Sequence, residues 1–227
     1  MIVRKKIGIL CRFINLVFIF VWLGACSSID IKDTNAKFPT FKVSKPIKSR
    51  VSFDAMVSST HGTGDDEVIN LELDRYSVPG TLQLSSDFEL RSGAVLPKYT
   101  MLDFSRYKWN AGLGLCYVDM DLVLTDAANS AVYKYDNAGL GWSIKSEMLF
   151  PISEKFEIVF DITVLSITTG DQGELMDFSL GANYMLDNRI QLFIGYKDSR
   201  YDSSEFETDI QLTARGAYYG LGYLFDL

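Results

Sequence analysis

Strict alternation of apolar and polar residues recurs along this chain and limits its fold more than any other feature. Ile69, Leu71 and Leu73 alternate with Asn70, Glu72 and Asp74; Phe156, Ile158, Phe160, Ile162 and Val164 alternate with Glu157, Asp161 and Thr163. Met176, Phe178 and Leu180 do the same with Asp177 and Ser179, and Ile190, Leu192, Ile194 and Tyr196 face away from Gln191, Gly195 and Lys197. Side chains of a strand point to opposite faces in turn, so each segment has one apolar and one polar face. Helical periodicity is almost absent. The chain reads as all-β.

Turn signals separate these segments at Ser77-Val78-Pro79-Gly80, Pro151-Ile152-Ser153-Glu154 and Leu186-Asp187-Asn188-Arg189, and longer polar stretches lie at 59–67, 126–137, 168–174 and 202–208. The spacing predicts ten strands, near 47–58, 67–76, 81–91, 98–109, 112–125, 138–149, 155–166, 175–185, 189–200 and 213–227. The count falls to eight if 67–76 is loop and 98–125 forms one strand. Short and long connections alternate, as in transmembrane barrels with short periplasmic turns and longer external loops. An even count returns both chain ends to one side.

The first residues read as an address. Arg4, Lys5, Lys6 and Arg12 precede an apolar run at 13–23, broken only by Asn15, and Leu23-Gly24-Ala25-Cys26 follows. This is the pattern of a secretory signal, too short for an ordinary membrane-spanning helix. Leu-Gly-Ala-Cys resembles the lipobox of bacterial lipoproteins. The resemblance implies cleavage between Ala25 and Cys26, a lipid on Cys26, and, with Ser27 next, sorting to the outer membrane. The expected organisation is a signal peptide over 1–25, a lipidated periplasmic tether over 26–46 (polar, with Pro39 and Pro46), and a barrel over 47–227.

Composition excludes several classes. Of 227 residues, 48% are apolar, enough for one domain with an interior and too many for disorder. The net charge of −7 argues against a nucleic-acid partner, and losing the four basic residues of the signal takes it to −11. Cys11 leaves with the signal and Cys26 takes the lipid, so Cys116 has no disulfide partner and reads as a small wall residue.

Alternation alone does not say which face is wet. Ionisable residues crowd one set of positions: Arg50, Asp54, Glu72, Asp74, Asp87, Glu89, Arg91, Asp103, Lys145, Glu147, Glu157, Asp161, Asp177 and Lys197. Placed inward, they give an acid-rich lumen; Arg215, on the face of Tyr219, is an exception. Aromatics gather near strand ends (Tyr76, Tyr99, Tyr107, Trp109, Trp142, Phe150, Phe156, Tyr184, Tyr196 and Tyr201), as in the girdles of outer-membrane barrels. Tyr219, Leu221, Tyr223, Phe225 and Leu227 share one face of the last strand. Tyr223, Phe225 and Leu227 resemble the C-terminal assembly signal of outer-membrane proteins, although the chain ends on Leu rather than Phe. As architecture, the chain is similar to small OmpA/OmpX- and opacity-type outer-membrane barrels.

The expectation is therefore a closed, antiparallel, up-and-down transmembrane β-barrel in the bacterial outer membrane, with its N-terminus periplasmic. Its implied partners are outer-membrane lipid and the lipoprotein-processing and barrel-assembly machineries. A structural or surface-interaction role without catalysis fits best. A soluble lipocalin-like lipoprotein with an apolar ligand, a narrow cation-preferring pore, and an outer-membrane hydrolase or lipid A-modifying enzyme are the alternatives. The enzyme reading rests on His61, the single histidine, with Asp65 and Asp66 in a Gly-rich stretch. That composition also suits an ordinary hairpin loop. No phosphate-cradling loop, Cys-x-x-Cys pair or nucleophile elbow occurs, so neither a cofactor nor a metal is expected. Loops such as 126–137, with Tyr133 and Tyr135, name no partner.

Overall fold

A computed structural model describes residues 28–73, 76–169, 172–203 and 209–225. The signal 1–25, Cys26 and Leu227 lie outside the described residues. Every described element is a strand: β1 (Ser28–Lys48), β2 (Val51–Leu73), β3 (Tyr76–Phe104), β4 (Tyr107–Asp126), β5 (Val132–Pro151), β6 (Phe156–Ile167), β7 (Gly173–Met185), β8 (Ile190–Ser203) and β9 (Asp209–Leu224). They close into one barrel in sequence order.

Among the described residues the strand count is nine, not ten or eight. Two expected strands and the polar stretch between them form most of β2. The expected 81–91 and the first part of 98–109 join in β3, which runs straight through Ser92-Gly93-Ala94-Val95-Leu96-Pro97 and turns at Ser105-Arg106, inside the expected strand, so that 107–109 open β4. The turn-like residues there serve packing: a Cβ on Gly62 would fall against the Phe88 ring. The expected tether is also corrected, because β1 begins at Ser28 and is part of the wall. An odd count sends the first and last strands in the same direction. The seam is thus parallel, with Ser28 opposite Asp209 and Ser44 opposite Leu224, and the barrel is not purely antiparallel. Ser28 and Leu224 consequently stand at opposite ends, against the expectation of both ends on one side.

One end carries Leu224 and the tight connections after β1, β3, β5 and β7, and is called here the turn end. Side chains cap its turns: Asp187 accepts the amide N–H groups of Arg189 and Ile190, each at 2.7 Å, which holds its carboxyl below the ordinary range. Ser153 Oγ accepts from Phe156 N at 3.1 Å.

The pleat keeps its phase along each strand while the chemistry on the two faces exchanges. On β4, Asn110, Gly112, Gly114, Cys116, Val118, Met120, Leu122 and Leu124 point inward; Trp109, Leu113, Leu115 and Tyr117, then Asp119 and Asp121, point outward. The turn-end half is apolar outside and polar inside. In the far half the order reverses, and Ile31, Phe38, Phe88, Leu122, Leu175 and Leu212 are 1% exposed or less. This corrects the expected inward placing of Asp87, Glu89 and Arg91, which project outward, whereas Leu84, Phe88 and Leu90 fill the interior. Arg91 bonds Glu89 at 2.7 Å and holds its carboxyl below the ordinary range. Arg215 belongs to this far half and pairs with Asp198 at 2.9 Å. Tyr201, expected at a girdle, is an interior residue.

Small residues make the interior narrow enough to fill. A Cβ on Gly181 would meet the Tyr218 hydroxyl at 2.5 Å and the Ile194 carbonyl at 2.6 Å, whereas one on Gly93, on the outer face, meets nothing closer than 3.5 Å. Gly181→Ala is expected to lower stability by about 1–3 kcal/mol through overpacking. Gly93→Ala should leave it nearly unchanged. Chemical unfolding of the purified variants measures both.

Candidate functional site: a charged lumen beneath an apolar core

Inward positions of the turn-end half carry four lysines and five carboxylates among the described residues: Lys42, Lys98, Lys145 and Lys197 against Asp54, Glu147, Glu157, Asp161 and Asp177. Each lies on a strand whose alternate residues are apolar and outward, so the pleat that exposes Phe41 and Val43 aims Lys42 inside.

Glu147 is the hub. Its carboxylate, 3% exposed, accepts from Lys98 Nζ at 2.7 Å, Lys42 Nζ at 3.2 Å and Asn110 Nδ2 at 3.0 Å, with Lys145 at 3.9 Å. Asp54 bridges the same two lysines, at 2.7 Å to Lys98 and 3.3 Å to Lys42. Lys145 reaches Asp161 at 3.4 Å, and Ser179 donates to Asp161 at 2.8 Å. Farther round the wall, Lys197 pairs with Asp177 at 2.8 Å and lies 5.1 Å from the centre of the Phe38 ring. Asn183 and Gln191 donate to Glu157. Buried charges persist only when compensated. Asp54 is held by its two ammonium neighbours, although neither of its buried oxygens has a hydrogen-bond partner, and Glu147 has both cations and hydrogen bonds.

The cluster divides the lumen. A cavity of about 470 Å³ lies on the turn-end side, lined by Ser52, Lys98, Asn110, Glu157 and Gln191. Beyond Glu147 it narrows to about 70 Å³ beside Asp161, Phe193, Lys197 and Tyr218. The apolar core of the far half then fills the cylinder. A polar vestibule ends on a charged plug backed by hydrocarbon.

The expected acid-rich lumen is thus close to neutral. Lys42 and Lys98 were missed, Lys42 because two prolines made its segment read as a tether. The signal was present: Phe41-Lys42-Val43-Ser44 alternates like any strand. Arg50 lies in a turn, and Asp103 is an exposed residue 3.9 Å from Lys108. The side chains of Glu72 and Asp74 lie outside the described residues. Cys116 faces inward as a wall residue and donates its thiol to the Trp142 carbonyl at 3.2 Å.

The catalytic candidates do not converge. His61 and Asp65 share the outward face of β2, four residues apart and so about 13 Å along the strand. His61 lies 3.5 Å from Asp87, and both are more than half exposed. The side chain of Asp66 is outside the described residues. Tyr223 and Phe225 lie at the end of the seam with their rings 4.8 Å apart, edge to face.

Outside the charged half runs an apolar belt. On β5 it extends from Leu140 to Phe150. At 3.3 Å per residue and a tilt of roughly 35–45°, it is about 25 Å tall. Tyr117, Trp142, Tyr196 and Tyr219 mark its upper part, and Tyr99, Phe104, Phe150, Phe156, Tyr184 and Phe225 its turn-end part. A search of family models found no match to this chain, and a search of curated proteins found none.

Proposed function

We propose that this chain is an outer-membrane β-barrel lipoprotein with a plugged lumen, whose far half projects from the bilayer as a rigid surface for contact. The observation that carries the reading is the coincidence of belt and plug. The half that presents hydrocarbon outward over about 25 Å, the height of a membrane barrel's apolar band, is the half that turns its charges inward. A soluble barrel has no reason to invert there. Hydrocarbon permits no unsatisfied sheet edge, which the closed ladder provides for.

The tight turns would face the periplasm, and the far half the exterior. On that orientation Ser28, where β1 starts, stands on the outer side. The apolar core beyond Glu147 argues against a conducting pore and leaves no space for a lipocalin-type ligand. The separation of His61 from Asp65 argues against a rim hydrolase built on them.

Expression of the full chain in a diderm host tests the reading. The protein is expected in the outer-membrane fraction, to need detergent for extraction, and to migrate faster unheated than boiled on a denaturing gel. A protein that stays monodisperse in detergent-free buffer would overturn it.

A further inference from the structure

We propose that a groove on the outer face, where the apolar belt meets the charged far half, holds one phospholipid with a primary-ammonium headgroup; this rests on the membrane reading above. The groove has a volume of about 590 Å³ and crosses β9, β1, β2, β3 and β4. Its apolar level is a straight cross-strand row: Leu221 opposite Phe41, Phe41 opposite Val57, Val57 opposite Gly93, and Gly93 opposite Tyr117. Directly opposite residues stand side by side on one face, so large side chains at both ends of this row and a glycine within it leave a trough. A Cβ on Gly93 would meet nothing closer than 3.5 Å. Toward the turn end the trough continues over Ala55 and Val95, the next outward pair. An acyl chain laid there buries apolar surface on three sides.

Charge chooses the headgroup. Two residues nearer the far end the same face turns polar, with Ser59 opposite Arg91 and Arg91 opposite Asp119. Arg91 lines the groove, and its half-exposed guanidinium reaches Glu89 at 2.7 Å, Asp119 at 3.2 Å and Asp121 at 3.8 Å. One cation against three carboxylates leaves two negative charges in excess at the polar end of an apolar trough. That excess repels a headgroup carrying phosphate alone. A headgroup that carries both signs sets its phosphate beside Arg91 and its ammonium against the surplus carboxylates. A primary ammonium donates three hydrogen bonds to them, whereas a quaternary one donates none. The site therefore takes ethanolamine in preference to choline or glycerol.

The full chain, reconstituted into vesicles of equal parts phosphatidylethanolamine, phosphatidylcholine and phosphatidylglycerol with matched acyl chains, supplies the test. Flotation with the vesicles reports the membrane reading. Lipid retained by the floated protein after mild-detergent extraction, counted by native mass spectrometry, reports the groove. One phosphatidylethanolamine is expected, about five-fold enriched over either other class, as for a half-exposed ion pair. Gly93→Phe fills the trough and should abolish retention, while Leu180→Phe, on the β7 part of the belt, should not. Glu89→Gln with Asp121→Asn leaves Arg91 balanced by Asp119 and should shift retention toward phosphatidylglycerol. Equal retention of the three classes by the wild-type chain overturns the proposal whether or not Gly93→Phe folds, and so does wild-type retention by a folded Gly93→Phe. A chain that floats without holding the lipid overturns the groove alone; one that does not float overturns the membrane reading and the groove with it.

Discussion

Glu147→Leu is expected to lower the stability of the folded barrel by about 3–5 kcal/mol, the usual range for stranding buried charge. Lys42, Lys98 and Asn110 all direct protons at this carboxylate, with Lys145 beside it. Its removal leaves Asp54 alone to balance two ammonium groups, in a lumen where water does not reach the 2%-exposed Asp54 side chain. The loss comes from the uncompensated cations rather than from the strength of any one pair. Lys98→Met in the same chain should therefore restore part of it, because Asp54 and Lys42 then neutralise each other. Urea-unfolding midpoints of the two single variants and the double variant measure the coupling. Additive losses would show that the cluster does not act as a unit.

The second large effect concerns the exchange of faces. Leu113, in the middle of the belt on β4, is 62% exposed. If lipid covers it, Leu113→Arg should cost about 2–4 kcal/mol in a bilayer and reduce the heat-modifiable fraction sharply. Val123→Arg places the same charge on the same face of the same strand, ten residues nearer the far end, where Asp119 and Asp121 already point into solvent. That change should stay within about 0.5 kcal/mol of wild type. One position away, Leu122→Asp drives a carboxylate into the sealed core and should prevent folding. Equal tolerance of arginine at positions 113 and 123 would mean that water, not lipid, wets the belt.

Much of the wall was legible. From β4 to β9 the predicted strands overlap the observed ones, because alternation there is interrupted by side-chain-capped turns such as Asp187-Asn188-Arg189. The first hundred residues were harder to read. Gly62 and Gly64 looked like a loop, yet they are inward positions that must be small where Phe88 and Ile31 press against them. Pro39 and Pro46 hid β1; Pro46 sits at a ladder irregularity beside the turn end. Of the candidate site, Lys145, Glu147, Asp161, Asp177 and Lys197 were placed correctly inside. Their partners Lys42 and Lys98 were not, since a strand read alone carries no sign of which residues meet across a cylinder.

The amino-acid order by itself determined that the chain forms strands with two unlike faces, since period two is a property of the extended backbone and needs no neighbours. Only the closed tertiary structure decided the rest. Two mergers at Gly-bearing segments reduce ten expected strands to eight and β1 adds a ninth, and the odd number alone makes the seam parallel and parts the two ends. Inside and outside are defined by closure. For that reason the same alternation means a charged lumen at one end of a strand and a hydrocarbon core at the other.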